Sequence, residues 1–288
     1  SFLVSAVSGS YVLTGTDATL TLMRLVSAGP GSYTLTGTDA GLLKASRLTA
    51  DGTSYTLAGT DATLTLMRLI AANSGNYSVS GTAASLLASL RIPADSGTYS
   101  ITGTDATLSL MRLVSAEPGS YTVTGSAASL LASLILGANA GSYALSGTDA
   151  TLSLMRLVSA DPGSYTLTGA AATLTLMRLI AADSGSYSVS GAAVNLLAAL
   201  ILSANAGTYT ITGTDVDLRK GFIITADGGI YSLSGTAASL LASLVLPANS
   251  GTYSIVGQDA GLLSARLVSA GAGSYALTGT DATLLHAF

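Results

Sequence analysis

The chain contains no cysteine, no tryptophan and only one histidine. Without cysteine it can form neither a disulfide nor a thiolate metal site, and it suits any redox compartment. A single histidine, His286 near the C-terminal end of the sequence, leaves no base for a Ser-His-Asp or Cys-His arrangement and too few ligands for zinc. Charge is also scarce. Asp, Glu, Lys and Arg together make up 9% of residues, against about a quarter in ordinary globular chains. The net charge is −4, and the missing basic stripe argues against nucleic acid as a partner. No apolar run reaches the roughly 18 residues that a membrane helix needs, so no membrane insertion is expected. Apolar residues nevertheless make up 49% of the chain, too many for disorder.

What is present is a repeat. All thirteen tyrosines fall at one constant spacing, Tyr11, Tyr33, Tyr55 and so on to Tyr275. A glycine follows four residues after each tyrosine, beginning Gly15, Gly37, Gly59, and a leucine nine residues after, beginning Leu20, Leu42, Leu64. No period has gained or lost a residue. A fixed period of this length is the mark of a stacked repeat architecture, and nothing along residues 1–288 looks like a linker. The expectation is one continuous repeat domain of thirteen units without separate caps. Residues 1–11 are already repeat sequence, since Leu3-Val4-Ser5-Ala6 matches Leu25-Val26-Ser27-Ala28. No signal peptide is therefore expected, and synthesis and assembly in the cytoplasm is the simpler reading.

The typical unit reads Y-T-L-T-G-T-D-A-T-L-T-L-M-R-L-V-S-A-x-x-G-S. Its period-two alternation, rich in Thr, Val and Tyr, predicts strands. Gly15-Thr16-Asp17 and its equivalents form one corner, where glycine permits a positive φ or a close backbone approach. Turn formers such as Gly29-Pro30-Gly31 and Asn73-Ser74-Gly75 mark the second. Each unit is thus expected to hold a short strand, a corner, a longer strand and a turn. Ala127-Ala128-Ser129-Leu130-Leu131-Ala132-Ser133-Leu134 looks helical locally, but it shares the frame of residues 17–24 and is expected to be strand. The predicted fold is all-β: a β-solenoid of thirteen 22-residue coils. At about 4.8 Å per coil, it would be roughly 60 Å long. An intertwined trimeric β fibre is the alternative; a long antiparallel meander would exceed the usual size of open sheets.

Three features bear on assembly. The longer strand is apolar on both parities, with Leu20 and Leu22 on one and Met23 and Leu25 on the other. Either the strand bends and switches faces, or one parity forms a lateral interface, as in a homotrimeric fibre. Phe288 and Phe2 occupy the same frame of the repeat, so they either plug the ends or meet in a head-to-tail filament. Charges co-occur within units. Asp fills the corner in eight units (Asp17, Asp39, Asp61, Asp105, Asp149, Asp215, Asp259, Asp281). Seven of these carry a following cation: Arg24, Lys44, Arg68, Arg112, Arg156, Arg219 and Arg266. The five units with Ala at that corner mostly lack one. Paired presence and absence suggests ion pairs, Asp17 with Arg24, Asp61 with Arg68, Asp105 with Arg112 and Asp149 with Arg156, because losing one partner of a sequestered pair costs more than losing both.

No catalytic, cofactor or metal site is expected. The corner aspartates recur singly, without the Gly/Asp spacing of calcium β-rolls, and nothing singles out one carboxylate pair for glycoside hydrolysis. Tyrosines should stack along the coil axis; facing outward, they would make an aromatic strip for sugars. Thr-x-Thr recurs at Thr19-Leu20-Thr21, Thr63-Leu64-Thr65 and Thr173-Leu174-Thr175, but Ser, Leu and Ala interrupt those columns. A regular ice-binding threonine face is therefore not expected there.

The phrase G-x-Y-x-L-T-G-x-x-A-x-L, carried by the whole chain, resembles 22-residue repeat proteins of tailed bacteriophages and bacterial prophages. That resemblance implies a virion fibre, spike or decoration protein, without an activity or site to transfer. The expected function is a non-enzymatic rod, fibre or filament that associates with itself, laterally or head to tail, or with other virion proteins. The alternatives are a bacterial extracellular filament or adhesin at the cell surface, and a glycan-binding fibre module.

Overall fold

The computed structural model describes residues 3–6, 9–22, 25–28, 31–44, 47–50, 54–66, 69–72, 75–88, 91–94, 96–110, 113–116, 118–132, 135–138, 140–154, 157–160, 163–176, 179–182, 184–198, 201–204, 206–226, 228–248, 250–270 and 272–287. Among these residues every regular element is a β-strand. The chain divides into two compact units, Ser1–Thr148 and Asp149–Phe288.

The first unit opens with β1 (Leu3–Ala6), β2 (Gly9–Thr14), β3 (Asp17–Leu22), β4 (Leu25–Ala28), β5 (Gly31–Thr36) and β6 (Asp39–Lys44). Strand β1 pairs with β4, β2 with β5 and β3 with β6, all parallel, with Leu3 opposite Leu25, Tyr11 opposite Tyr33 and Asp17 opposite Asp39. The same register, one repeat period per step, runs through the unit to Tyr121 opposite Tyr143. The second unit keeps it from Tyr165 opposite Tyr187 to Tyr253 opposite Tyr275. Parallel neighbours need a long crossover; here the other strands of the coil supply it. This is a parallel β-solenoid. Each unit spans between six and seven repeat periods, so thirteen coils is not the height of either stack.

Within one coil of the first unit, Ser54–Ala58 is followed by Asp61–Leu66 and Leu69–Ala72, the last two lying on either side of residues 67–68, which are outside the described residues. Late in the second unit the corresponding segments do run on, as Thr208–Ala226, Ala237–Ala248 and Asp259–Ala270.

Alternation then sorts the side chains. In Thr98–Thr102, Tyr99 and Ile101 are buried; in Asp105–Leu110, Ala106 and Leu108 are; from Leu113–Ala116, Val114 is. Small alanines and wide tyrosine rings thus both line the interior of the coil. Of the segment 127–134, Ala127–Ala132 is strand, not helix, and residues 133–134 lie outside the described residues. Its frame demands this, because Ala127 hydrogen-bonds the preceding coil, its N–H donating to the carbonyl of Thr104 at 2.9 Å.

Candidate functional site

The tyrosines form the most regular internal feature. Tyr99 and Tyr121 stack with ring centroids 4.8 Å apart and planes 3° from parallel; Tyr187 and Tyr209 do the same in the second unit, at 4.8 Å and 3°. These rings lie inside the coil. The buried tyrosines therefore offer no aromatic strip to a sugar. In the first unit two phenol ends reach backbone: the Tyr121 hydroxyl donates to the Ile92 carbonyl, and the Tyr143 hydroxyl donates to the Gly137 carbonyl at 3.0 Å. Burial, with the neighbouring Tyr209 and Tyr253, pushes the Tyr231 phenol well above its ordinary pKa. Tyr55 is buried and stacked on Tyr77, whereas the side chains of Tyr11 and Tyr33 lie outside the described residues.

The glycine corner is explained by close approach. A Cβ on Gly37 would stand 2.5 Å from the Gly15 carbonyl oxygen and 3.0 Å from the Ala18 Cβ. On Gly59 it would collide with the Gly37 carbonyl oxygen, while on Gly15 it would meet nothing within 4 Å. A positive φ is not the reason, since among the described glycines only Gly228 has one, at 85°. Around this corner the coils remain hydrogen-bonded: the Gly15 N–H donates to the Thr36 carbonyl and the Asp39 N–H to the Thr16 carbonyl, both at 3.1 Å. These bonds satisfy backbone groups at the bend, as a packed corner requires.

The corner aspartates Asp17, Asp61, Asp105 and Asp149 are all exposed. Their proposed partners Arg24, Arg68, Arg112 and Arg156 lie outside the described residues, as do Phe2 and Phe288. Alanine at Ala83 separates Asp61 from Asp105 along the column. Like charges directly opposite are destabilising, so an alanine between two aspartates relieves repulsion. Asp17, Asp39 and Asp61 do stand in consecutive coils.

The structure defines two outward faces. Leu64 is buried, and Leu20 and Leu42 align with it along the backbone ladder, their side chains lying outside the described residues. One residue further on, Leu43, Leu87 and Leu131 are exposed by 47%, 44% and 47%. They alternate with Thr65 and Ser109 in neighbouring coils. The variant units thus place one leucine in and the next one out, as for Leu130 and Leu131. The tyrosine strands carry the second face. Their outward positions are occupied almost entirely by Ser and Thr, a pattern visible in Tyr-Thr-Leu-Thr but overshadowed by the tyrosines.

Among the described residues no group of three or more His, Cys, Asp or Glu is placed to hold a metal ion. Among them, too, no helix is long and apolar enough to cross a membrane. Comparison with protein-family models, curated proteins and solved structures gave no match. The class defined by the fold is a tandem-repeat β-solenoid, and function has to be argued from its surfaces.

Proposed function

We propose that this chain is a non-enzymatic structural protein that makes a rigid rod, fibre or filament, and that it serves in a bacteriophage virion. The observation that carries this reading is the unbroken 22-residue register within each unit. Every coil repeats the hydrogen bonds of its neighbour, which suits stiffness and leaves no position chemically singled out. The repeat phrase supplies the virion context through its resemblance to phage repeat proteins. Assembly in the host cytoplasm follows from that context.

Self-association is part of the proposal. Leucines exposed at every second coil in Leu43, Leu87 and Leu131 favour lateral packing of copies, of which a trimer is one form. Head-to-tail stacking is the other route, because in-register coils add without a change of geometry. A bacterial extracellular filament or adhesin would use the same structure at the cell surface. The glycan-binding alternative loses its aromatic strip, since the described tyrosines of the inner coils point inward.

Cryo-electron microscopy of the purified, untagged chain tests the proposal. Filaments, or bundles of laterally packed rods, are expected, and the triple variant Leu43→Ser, Leu87→Ser, Leu131→Ser should disperse the bundles without loss of β structure. Discrete single particles at every concentration would overturn the filament reading.

A further inference from the structure

The hydroxyl face of the tyrosine strands is the strongest unassigned surface. In the first unit, the seven rungs from Gly9–Thr14 to Ser142–Ser146 turn twenty-one side chains outward, and seventeen are Ser or Thr. Val12, Ala58, Asn76 and Ala144 are the exceptions. In the second unit, the six rungs from Ser164–Thr168 to Ser274–Thr278 again turn out eighteen, fifteen of them Ser or Thr, with Ile230, Val256 and Ala276 the exceptions. Not one of these positions is charged. The chain does expose charge elsewhere, at the corner aspartates, so this face is free of charge while its neighbour is not. A solvated sheet face ordinarily carries charged residues for solubility.

The geometry is a lattice. Side chains repeat along the axis at the coil spacing, which the tyrosine stack directly beneath holds at 4.8 Å. Across each strand they repeat every second residue, about 6.6 Å apart. Hydroxyl pairs of neighbouring rungs are close but loosely bonded, Thr124 to Ser146 at 3.3 Å, Thr168 to Ser190 at 3.2 Å and Ser234 to Thr212 at 3.3 Å, whereas the Thr98 hydroxyl donates to the Asn76 side-chain oxygen at 2.7 Å. A good O–H···O bond is about 2.7–2.8 Å, so the loosely bonded hydroxyls keep capacity for water.

We propose that this face binds ordered water at an ice surface. In tetrahedral ice, oxygens about 2.8 Å apart place second neighbours about 4.5 Å apart. The rung spacing exceeds that by about 0.3 Å, which the roughly 0.5 Å width of the ordinary hydrogen-bond range accommodates between adjacent rungs. Hydroxyls on adjacent rungs can therefore replace lattice oxygens over short runs of the face. Charged side chains would impose their own hydration shells and break such a layer, and they are absent from these outward positions. Competing ligands lack their recognition groups. Among the described residues the face has no aromatic platform for sugar rings and no cations for nucleic-acid phosphate, and in the first unit its one large apolar side chain is Val12 on the first rung, a small anchor for a protein. This inference concerns a different face from the exposed leucines and does not depend on the virion reading.

The experiment uses the full chain. Thermal hysteresis and partition into a slowly growing ice front are measured for the parent and for two variants. The parent is expected to enter the ice and to facet crystals. Ser100→Lys combined with Thr122→Lys, and Thr210→Lys added to that pair, should lower hysteresis stepwise towards the level of buffer, with the far-ultraviolet circular dichroism unchanged. Ser109→Lys, on the neighbouring outward face, should leave it intact. A parent chain excluded from ice like an unrelated globular protein would overturn the proposal. Lysine variants that bind ice as well as the parent would do the same, and so would retention on insoluble polysaccharide without any ice activity.

Discussion

Replacing Gly37 by alanine tests the packing of the coils most directly. Its new Cβ would lie 2.5 Å from the Gly15 carbonyl oxygen, whereas real Cβ contacts essentially never fall under 3.0 Å. A close-packed interior has no slack to absorb that difference, so the two coils must part locally by at least about 0.5 Å. The flanking hydrogen bonds, Gly15 N–H to Thr36 carbonyl and Asp39 N–H to Thr16 carbonyl, are each 3.1 Å. Stretched to about 3.6 Å they no longer count as hydrogen bonds. Each contributes about 1 kcal/mol net, and stranding its groups costs about 1–3 kcal/mol. We expect a loss of about 2–4 kcal/mol, which lowers a urea midpoint by about 1 M or more for an m-value of about 1–3 kcal/mol/M. Two controls share the chemistry but not the contact. Gly15→Ala meets nothing within 4 Å, and Gly41→Ala meets only the Thr19 side chain at 3.5 Å. Both should be neutral, or stabilising by up to about 1 kcal/mol through the unfolded chain. If Gly37→Ala unfolds at the same urea concentration as its controls, close approach is not why the glycine column is strict.

Other perturbations separate the inner and outer faces. Leu108, 1% exposed, should cost about 2–5 kcal/mol when cut to alanine, while Leu131→Ala should stay within about 0.5 kcal/mol; equal effects in urea melts would refute the assigned faces. Alkali should destabilise the chain. The folded Tyr231 phenol has its pKa raised above the unfolded value of about 10. Its contribution is complete below that pH and is lost as pH climbs towards the folded value, because the unfolded chain gives up the proton first. The slope is about 1.4 kcal/mol per pH unit for this group. Urea midpoints should fall above about pH 10 and fall less steeply in Tyr231→Phe; a constant midpoint would contradict the burial. Deleting residues 98–119, one whole repeat period, should preserve the β signal per residue, since each coil contacts only its neighbours. Deleting half a period should not, and a protein that tolerates both deletions equally would not be a registered stack.

The extent of sequence legibility follows from what each residue can know locally. The strict spacing of tyrosine, glycine and leucine determined the 22-residue register later seen in Tyr121 opposite Tyr143. Alternation determined that Leu108 and Ser109 take opposite faces, because side chains on a strand change face at every step, but it left open which of the two turns inward. The same frame identified Ala127–Ala132 as strand against its local helical look. Tertiary structure decided the rest. The choice between positive φ and close approach at Gly37 depended on the Gly15 carbonyl, a full repeat period away. Whether Leu130 or Leu131 met solvent was set by where the strand sat in the coil. The hydroxyl lattice existed only once separate Ser and Thr residues, isolated in sequence, were stacked at 4.8 Å by the tyrosines beneath them. Period and alternation are properties of the chain alone; spacing between coils, and therefore every surface offered to a partner, comes from the packing of one coil on the next.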